Sequence, residues 1–425
     1  MRNVLFAAFA FATLWLCLNL HSRTGYFTYK SEIFGDKAGY YIYLPATFVF
    51  KFEANQVSDT LSDAVGNGFL IQDGKIFTKY PIGVAVMQAP FFLVTHFVIA
   101  PALGYPSNGF SPPYFKMVDV AAWFYMLLGL WIMSKVLAVY FKPKLVWIAF
   151  GCFLLGTNLW YYYAVESGMS HIYSFFLVAA LLKITQRIHQ NDKVDGWLAF
   201  GLGAVAGMLL LTRFTNALLL PIVLLWEVRS TAELKHRFKL FLNPKTIARI
   251  LLVPVLLAAV QMAYYDYLTG TPFLYAYEKE GFDFLHPNLL QVWFSPHNGL
   301  FVFAPMMVFA LIGLGRMAVK KLPGAWLGIG LFFISSIVFA SWWQWYFGCA
   351  YGARSFVEYY PVYIVGFAYF LQWLASKALL WRVAGGSLIV LLVALTFKNG
   401  YLYKLCYAGQ GDWDWNWFLD LVGSV

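Results

Sequence analysis

Ionisable side chains cut this chain into twelve apolar stretches, several of them near the about 20 residues that a helix needs to cross a hydrocarbon core. They run over 3–20, 84–104, 117–134 (interrupted only by Asp119), 145–164, 171–182, 197–212, 214–226, 250–265, 299–315, 323–341, 359–376 and 383–397. Only 12% of the 425 residues are charged, against roughly 25% in a soluble domain, and 61% are hydrophobic, more than soluble cores could hide. The sequence therefore predicts one all-α polytopic membrane domain over 1–425, with no repeat, low-complexity tract or linker dividing it. The first stretch resembles a signal peptide, but His21-Ser22-Arg23 is a poor cleavage site and more spans follow, so it reads as a retained first helix.

Short basic clusters orient such a chain, because cytoplasmic loops carry excess Lys and Arg. The clusters are Lys135/Lys142/Lys144, Lys183/Arg187/Lys193, the six basic residues of 229–249, Arg316/Lys320/Lys321 and Lys377/Arg382. Two apolar stretches separate each consecutive pair, so all can share one side; with Arg2 that side holds 18 of the 30 basic residues. Three stretches lie between Arg2 and Lys135, so one of them cannot cross. The stretch 84–104 contains Pro90 and Pro101 and runs into the turn-rich GYPSNGFSPPY, and it is assigned to an interfacial or re-entrant helix. The expectation is about 11 transmembrane helices, N-terminus in and C-terminus out. The outer face then receives a large first loop (21–116) with interfacial helices, segments near 165–170, 268–298 and 341–356, and a tail at 398–425. The formal charge of +10 is topological on this reading, and no nucleic-acid partner is expected.

Four cysteines show no metal or redox spacing. Cys17 and Cys152 fall in apolar runs as small core residues, whereas Cys349 and Cys406 share the outer side, which leaves a disulfide between them open.

Several outer-face residues could carry chemistry. Asp36, in GDKAGYYIYLPATF, is a candidate general base for an acceptor hydroxyl, with Tyr40, Tyr41 and Tyr43 offering aromatic faces to a sugar. The competing reading is a loop acid paired with Lys37, and Glu32, Asp59 and Asp63 are rival acids. Lys79, beside Tyr80 and Pro81, either meets a lipid phosphate or snorkels. Glu166 and His171 stand between two spans, where ionisable groups are expensive unless they pair or face a cavity; they contact substrate or hydrogen-bond each other. Arg213 either binds an anion or caps a helix C-terminus. Arg354, in SWWQWYFGCAYGARSFVEYYP, is the lone basic residue between Lys321 and Lys377, with a fork suited to phosphate. Gly348 and Gly352 would let backbone approach a ligand. Tryptophans 342, 343 and 345 also fit a membrane-interface belt, and His297 and Asn298 precede a span on the same face.

Asp36 after the first helix, Tyr80-Pro81-x-Gly83 opening an interfacial helix, Glu166 between spans and the late loop with Arg354 together resemble the GT-C superfamily. These are integral-membrane glycosyltransferases using polyprenyl-phosphate-linked sugars, among them the lipid A aminoarabinose transferases and protein O-mannosyltransferases. The resemblance implies Asp36 as the catalytic acid/base residue, Glu166 as a second acid orienting sugar or a divalent metal, and Arg354 and Lys79 on the donor phosphate. It departs from members with paired acids at the first site, since residue 37 is Lys. No large soluble domain follows the last span, so the acceptor stays open among glycan, lipid and protein.

The expected function is inverting sugar transfer from a polyprenyl-phosphate donor to an acceptor hydroxyl on the outer face of the cytoplasmic membrane. Asp36 is the base, Arg354, Lys79 and Arg213 face the phosphate, and Glu166, His171, Tyr40, Tyr41, Tyr80 and His297 face the substrates. No cofactor is required by the sequence; a divalent metal, with Glu166 as a ligand, stays open. The alternatives are a carrier or flippase for lipid-linked or free sugar, and a noncatalytic scaffold.

Overall fold

The computed structural model describes residues 2–20, 26–277, 280–403 and 406–424; the side chains of 2–5 and of Asp59 also fall outside the description. The segment His21-Ser22-Arg23 and the tail residue Lys404 thus lie outside the described residues, as does the side chain of the rival acid Asp59.

The chain is mostly helical. In order it forms α1 (Arg2–Leu18), α2 (Asp36–Tyr41), α3 (Gly83–Ala102), α4 (Pro112–Leu137), α5 (Pro143–Leu155), α6 (Ser170–Asn191) and α7 (Gly196–Thr212). There follow α8 (Pro244–Thr269), α9 (Met306–Val319), α10 (Ala325–Ala340), α11 (Tyr360–Ala375), α12 (Leu379–Leu402) and α13 (Trp415–Gly423), with shorter helices between, among them Thr231–Phe241. Four of these, α3, α4, α8 and α12, are long and apolar enough to cross a membrane. Helices α4, α5 and α8 open on proline, whose missing N–H costs nothing at a helix start. Helix α8 closes on Gly270 at φ 74°, a left-handed cap that suits glycine.

Several apolar stretches are broken. The run 145–164 divides at Gly156, where Thr157 turns its hydroxyl back to Phe153 O. The run 299–315 divides before Pro305, which cannot donate to the preceding turn. The run 214–226 becomes a 3-10 turn (Phe214–Leu219) followed by Ile222–Leu225. The stretch 84–104 forms one continuous helix, α3, despite its two prolines. A small hairpin, β1 (Leu70–Gln72) with β2 (Lys75–Phe77), departs from an all-α chain; it turns on Asp73 and Gly74 at φ 50° and 70°. The expected short tail carries a helix of its own, α13.

Small residues bring the helices together. Gly203 and Gly207 on α7 leave no room for a Cβ against Ile250 and Pro254 of α8, and Gly313 on α9 sits against Gly366 on α11. The basic clusters meet at one end of the bundle. Tyr140 donates to Glu227 and accepts from Gln186 near the end of α6, and Arg237 donates to Leu224 O and Trp226 O. Gly324 packs beside Trp226, while Arg316 and Lys377 both lie over the Trp373 ring. At the opposite end, loop 26–80, the turn 165–169, Arg213, loop 270–288 and loop 341–356 surround a cavity.

Candidate active site

The cavity has a volume of about 560 Å³. One wall is charged, with Asp36, Lys37, Lys79, Glu166, Arg213, Glu280 and Arg354, and Tyr40 and Tyr80 among them. The other is apolar, formed by Phe214, Ala217 and Leu218 from the 3-10 turn and by Val338, Phe339, Trp342 and Trp343 at the end of α10.

Asp36 stands at the first turn of α2, after Gly35 at φ 54°. Its Oδ1 accepts from the Tyr80 hydroxyl at 2.6 Å and its Oδ2 from Arg354 Nη2 at 3.0 Å. The Asp36 side chain is 37% exposed, toward the cavity, whereas that of Arg354 is 15% exposed. Burial pushes the Asp36 carboxyl up, but the Arg354 guanidinium, the Tyr80 hydroxyl and Lys79 outweigh it and hold the group below its ordinary value. Tyr80 moves the other way: burial and the adjacent carboxylate raise it well above a normal phenol. Asp36 is thus ionised and Tyr80 neutral across the physiological range. Tyr40 packs on Tyr80 at a tilt, with ring centroids 4.5 Å apart.

Each remaining cation in the wall also has a carboxylate. Lys79 Nζ lies 2.5 Å from Glu280 Oε1 and faces the rings of Tyr80 and Tyr277. Lys37 donates to Glu166 Oε1 at 3.1 Å, the two side chains 3% and 14% exposed. Arg213 donates to Glu358 Oε1 at 3.0 Å and to Ser355 Oγ at 3.4 Å.

These pairings correct the local readings of the sequence. Lys37 pairs with Glu166 and not with Asp36, because α2 turns the two neighbours in different directions. Glu166 therefore does not hydrogen-bond His171. His171 is sealed in the core with Nδ1 3.0 Å from Glu358 Oε1 and 3.2 Å from Arg213 Nη1, so it supports the wall and does not line it. Tyr41 points away from the cavity, its hydroxyl on Gly109 O and its ring among Phe92 and Phe110. His297 is also elsewhere: it pairs with Asp412 at 3.1 Å and is stacked between Tyr346 and Tyr407. Gly348 lines the cavity at φ 67°, but Gly352 is required by packing, since a Cβ there would strike Phe303. Glu32 pairs with Lys116, and Asp63 does not line the cavity.

The chain matches no family model, no curated protein and no solved structure.

The case for this site is therefore its own geometry. Loop 270–288 covers one flank, fastened by Trp343 N to Gly281 O, Asp283 N to Ser341 O and Asn288 N to Ala340 O. A disulfide joins Cys349, in the cavity wall, to Cys406 in the tail. Asn298 donates to Tyr346 O and Gly348 O, so the tail and the segment before α9 together hold the loop that leads to Arg354. The residues do not fit a metal. Among the described residues no three His, Cys, Asp or Glu side chains converge on one point, and Glu166 and Asp36 each already face a cation.

Sequence reasoning passed over Glu280 and Glu358, and considered Lys37 only as a partner for Asp36. Glu358 carried a usable signal, an acid at the mouth of an otherwise charge-free span. Glu280 lies in an aromatic outer segment, YAYEKEGFDF, that resembles surface loop.

Proposed function

We propose that the protein is an integral-membrane glycosyltransferase of GT-C type, moving a sugar from a polyprenyl-phosphate donor to an acceptor hydroxyl. The observation that carries this reading is the lining of the cavity: Asp36 bonded to Arg354, with Lys37, Lys79, Arg213, Glu166 and Glu280 beside them, together with an apolar strip. The strip suits a prenyl chain and the arginines suit its phosphate. Asp36 takes the acceptor's proton, and the acceptor oxygen forms its bond to the anomeric carbon. The anomeric carbon–oxygen bond to phosphate breaks, its electron pair stays on the phosphate, and Arg354 stabilises that charge. One base and one displacement give inversion, without the paired carboxylates of a glycosidase.

The same reading places eleven crossings, with the basic end of the bundle in the cytoplasm and the cavity on the outer face of the cytoplasmic membrane. Helix α3 stays interfacial in this scheme. Met87 O accepts from Tyr125, Phe91 packs on Phe124 and Tyr125, and Thr95–Leu103 shares a groove with Pro112–Val120, so these contacts reach only the first half of α4. The segment 214–226 crosses despite its broken form: Arg213 meets His171 at the start of α6, and Glu227 shares Tyr140 with Gln186 near its end.

The test is incubation of the purified protein with a panel of polyprenyl-phosphate sugars and hydroxyl acceptors, with mass analysis of product and released prenyl phosphate. Transfer with inversion supports the reading. No transfer across the panel, together with sugar or lipid flux in liposomes, would replace it with the carrier.

A further inference from the structure

A further inference concerns the order of events in the cavity, and it rests on the transfer reaction proposed above. The group that has to accept a proton and the group that has to bind phosphate are bonded to each other. Asp36 Oδ2 takes Arg354 Nη2 at 3.0 Å while Oδ1 takes the Tyr80 hydroxyl at 2.6 Å, so both oxygens already have donors. Arg354 is the partner with capacity to spare: its Nε is buried and has no hydrogen-bond partner among the described residues. A guanidinium offers five N–H donors, and a phosphate oxygen matches its fork.

The geometry points to a base gated by the donor: phosphate seated on Arg354 draws the guanidinium from Asp36 Oδ2 and frees that oxygen to receive the acceptor's proton. The donor then binds first, and the acceptor is activated only once the donor is in place. The other groups around Asp36 cannot play this part. Tyr29, Tyr40, Tyr80 and Tyr277 are all raised by burial and stay neutral, and the charge of Lys79 is already met by Glu280. Proton, bond pair and leaving group balance as in the transfer itself, with no further reactant.

The test uses the full-length protein in detergent and geranyl phosphate, a short prenyl phosphate with no sugar to transfer. Carbodiimide couples to protonated carboxyl groups, so the pH midpoint of Asp36 modification, read by peptide mass spectrometry, reports its proton affinity. Saturating geranyl phosphate should raise that midpoint by about one pH unit or more, a change of about tenfold in proton affinity. Arg354→Gln should show the raised midpoint without ligand and no further shift with it. Binding of geranyl phosphate by calorimetry with an unmoved midpoint in the wild type overturns the gate but leaves the transferase reading standing. No binding of geranyl phosphate overturns both. Should Arg354→Gln fail to fold, the wild-type titration decides alone.

Discussion

Arg354 Nη2 donates to Asp36 Oδ2 at 3.0 Å across a separation of 318 residues, joining the first turn of α2 to the loop before α11. Arg354 holds Asp36 ionised and Asp36 neutralises the charge of Arg354, so changes at either are felt at both.

Asp36→Asn keeps the shape of the side chain but removes the base and the counter-charge of Arg354. Turnover is expected to fall by about 10²- to 10⁴-fold, while prenyl-phosphate binding is kept or tightened because Arg354 is released. Steady-state transfer and calorimetric binding, measured in parallel, check this; near-normal turnover removes Asp36 as the base.

The depressed Asp36 group fixes the sign of the pH response. Activity falls on the acid side, and for kcat/KM of the donor, which reports the empty protein, that limb lies below the ordinary carboxylate value. The acid limb of kcat, which reports the donor complex, is expected at higher pH. Stability follows the same linkage: the Asp36–Arg354 contribution is present above the unfolded carboxyl value and is lost as pH falls through the lowered folded value. The thermal-stability difference between wild type and Asp36→Asn should shrink on acidification.

His171→Ala is expected to act through stability. His171 and Glu358 are fully enclosed, and both His171 Nδ1 and Arg213 Nη1 lie 3.0 Å from Glu358 Oε1, so removal of either partner leaves a buried acid short of partners. Breaking a buried pair costs about 3–5 kcal/mol, and Arg213→Ala should show a loss of that order. Glu358→Gln combined with His171→Ala should be no less stable than His171→Ala alone. Full stability with lost transfer in His171→Ala would instead move His171 into the substrate site.

The disulfide between Cys349 and Cys406 closes a loop of 57 residues, for which chain entropy allows at most about 4 kcal/mol. Replacing both cysteines by serine should loosen the tail and with it the His297–Asp412 contact. Limited proteolysis should then cut within 406–424, and the donor KM should rise because Cys349 belongs to the cavity wall. A tail as resistant as in the wild type would count against this coupling.

Cysteine accessibility tests the orientation. Lys142, Lys239 and Lys320 are expected on the cytoplasmic side and Asn67 and Asn288 outside; Lys239 is an exposed reporter, whereas its neighbour Arg237 is buried against Glu233 and the Trp226 carbonyl. Cytoplasmic labelling anywhere in 105–111 would mean that α3 crosses.

Much of the architecture was legible because it depends on local composition. Charge-free runs locate the apolar helices, four of them long and apolar enough to cross a membrane. The gathering of Asp36, Lys79, Glu166, Arg213 and Arg354 follows from the same logic, since each lies between apolar stretches in a segment without a basic cluster. Which acid meets which base is another matter. Consecutive residues on a helix diverge by about 100°, so within α2 Tyr40 reaches the cavity while Tyr41 enters the core, and Asp36 and Lys37 find different partners. Those partners, Arg354 and Glu166, come from loops whose approach is set by how α4, α6 and α11 pack. Local pattern groups these residues into the same kind of segment, whereas their pairing comes from the folded molecule, because contact between distant segments depends on helix rotation and packing that no local pattern encodes.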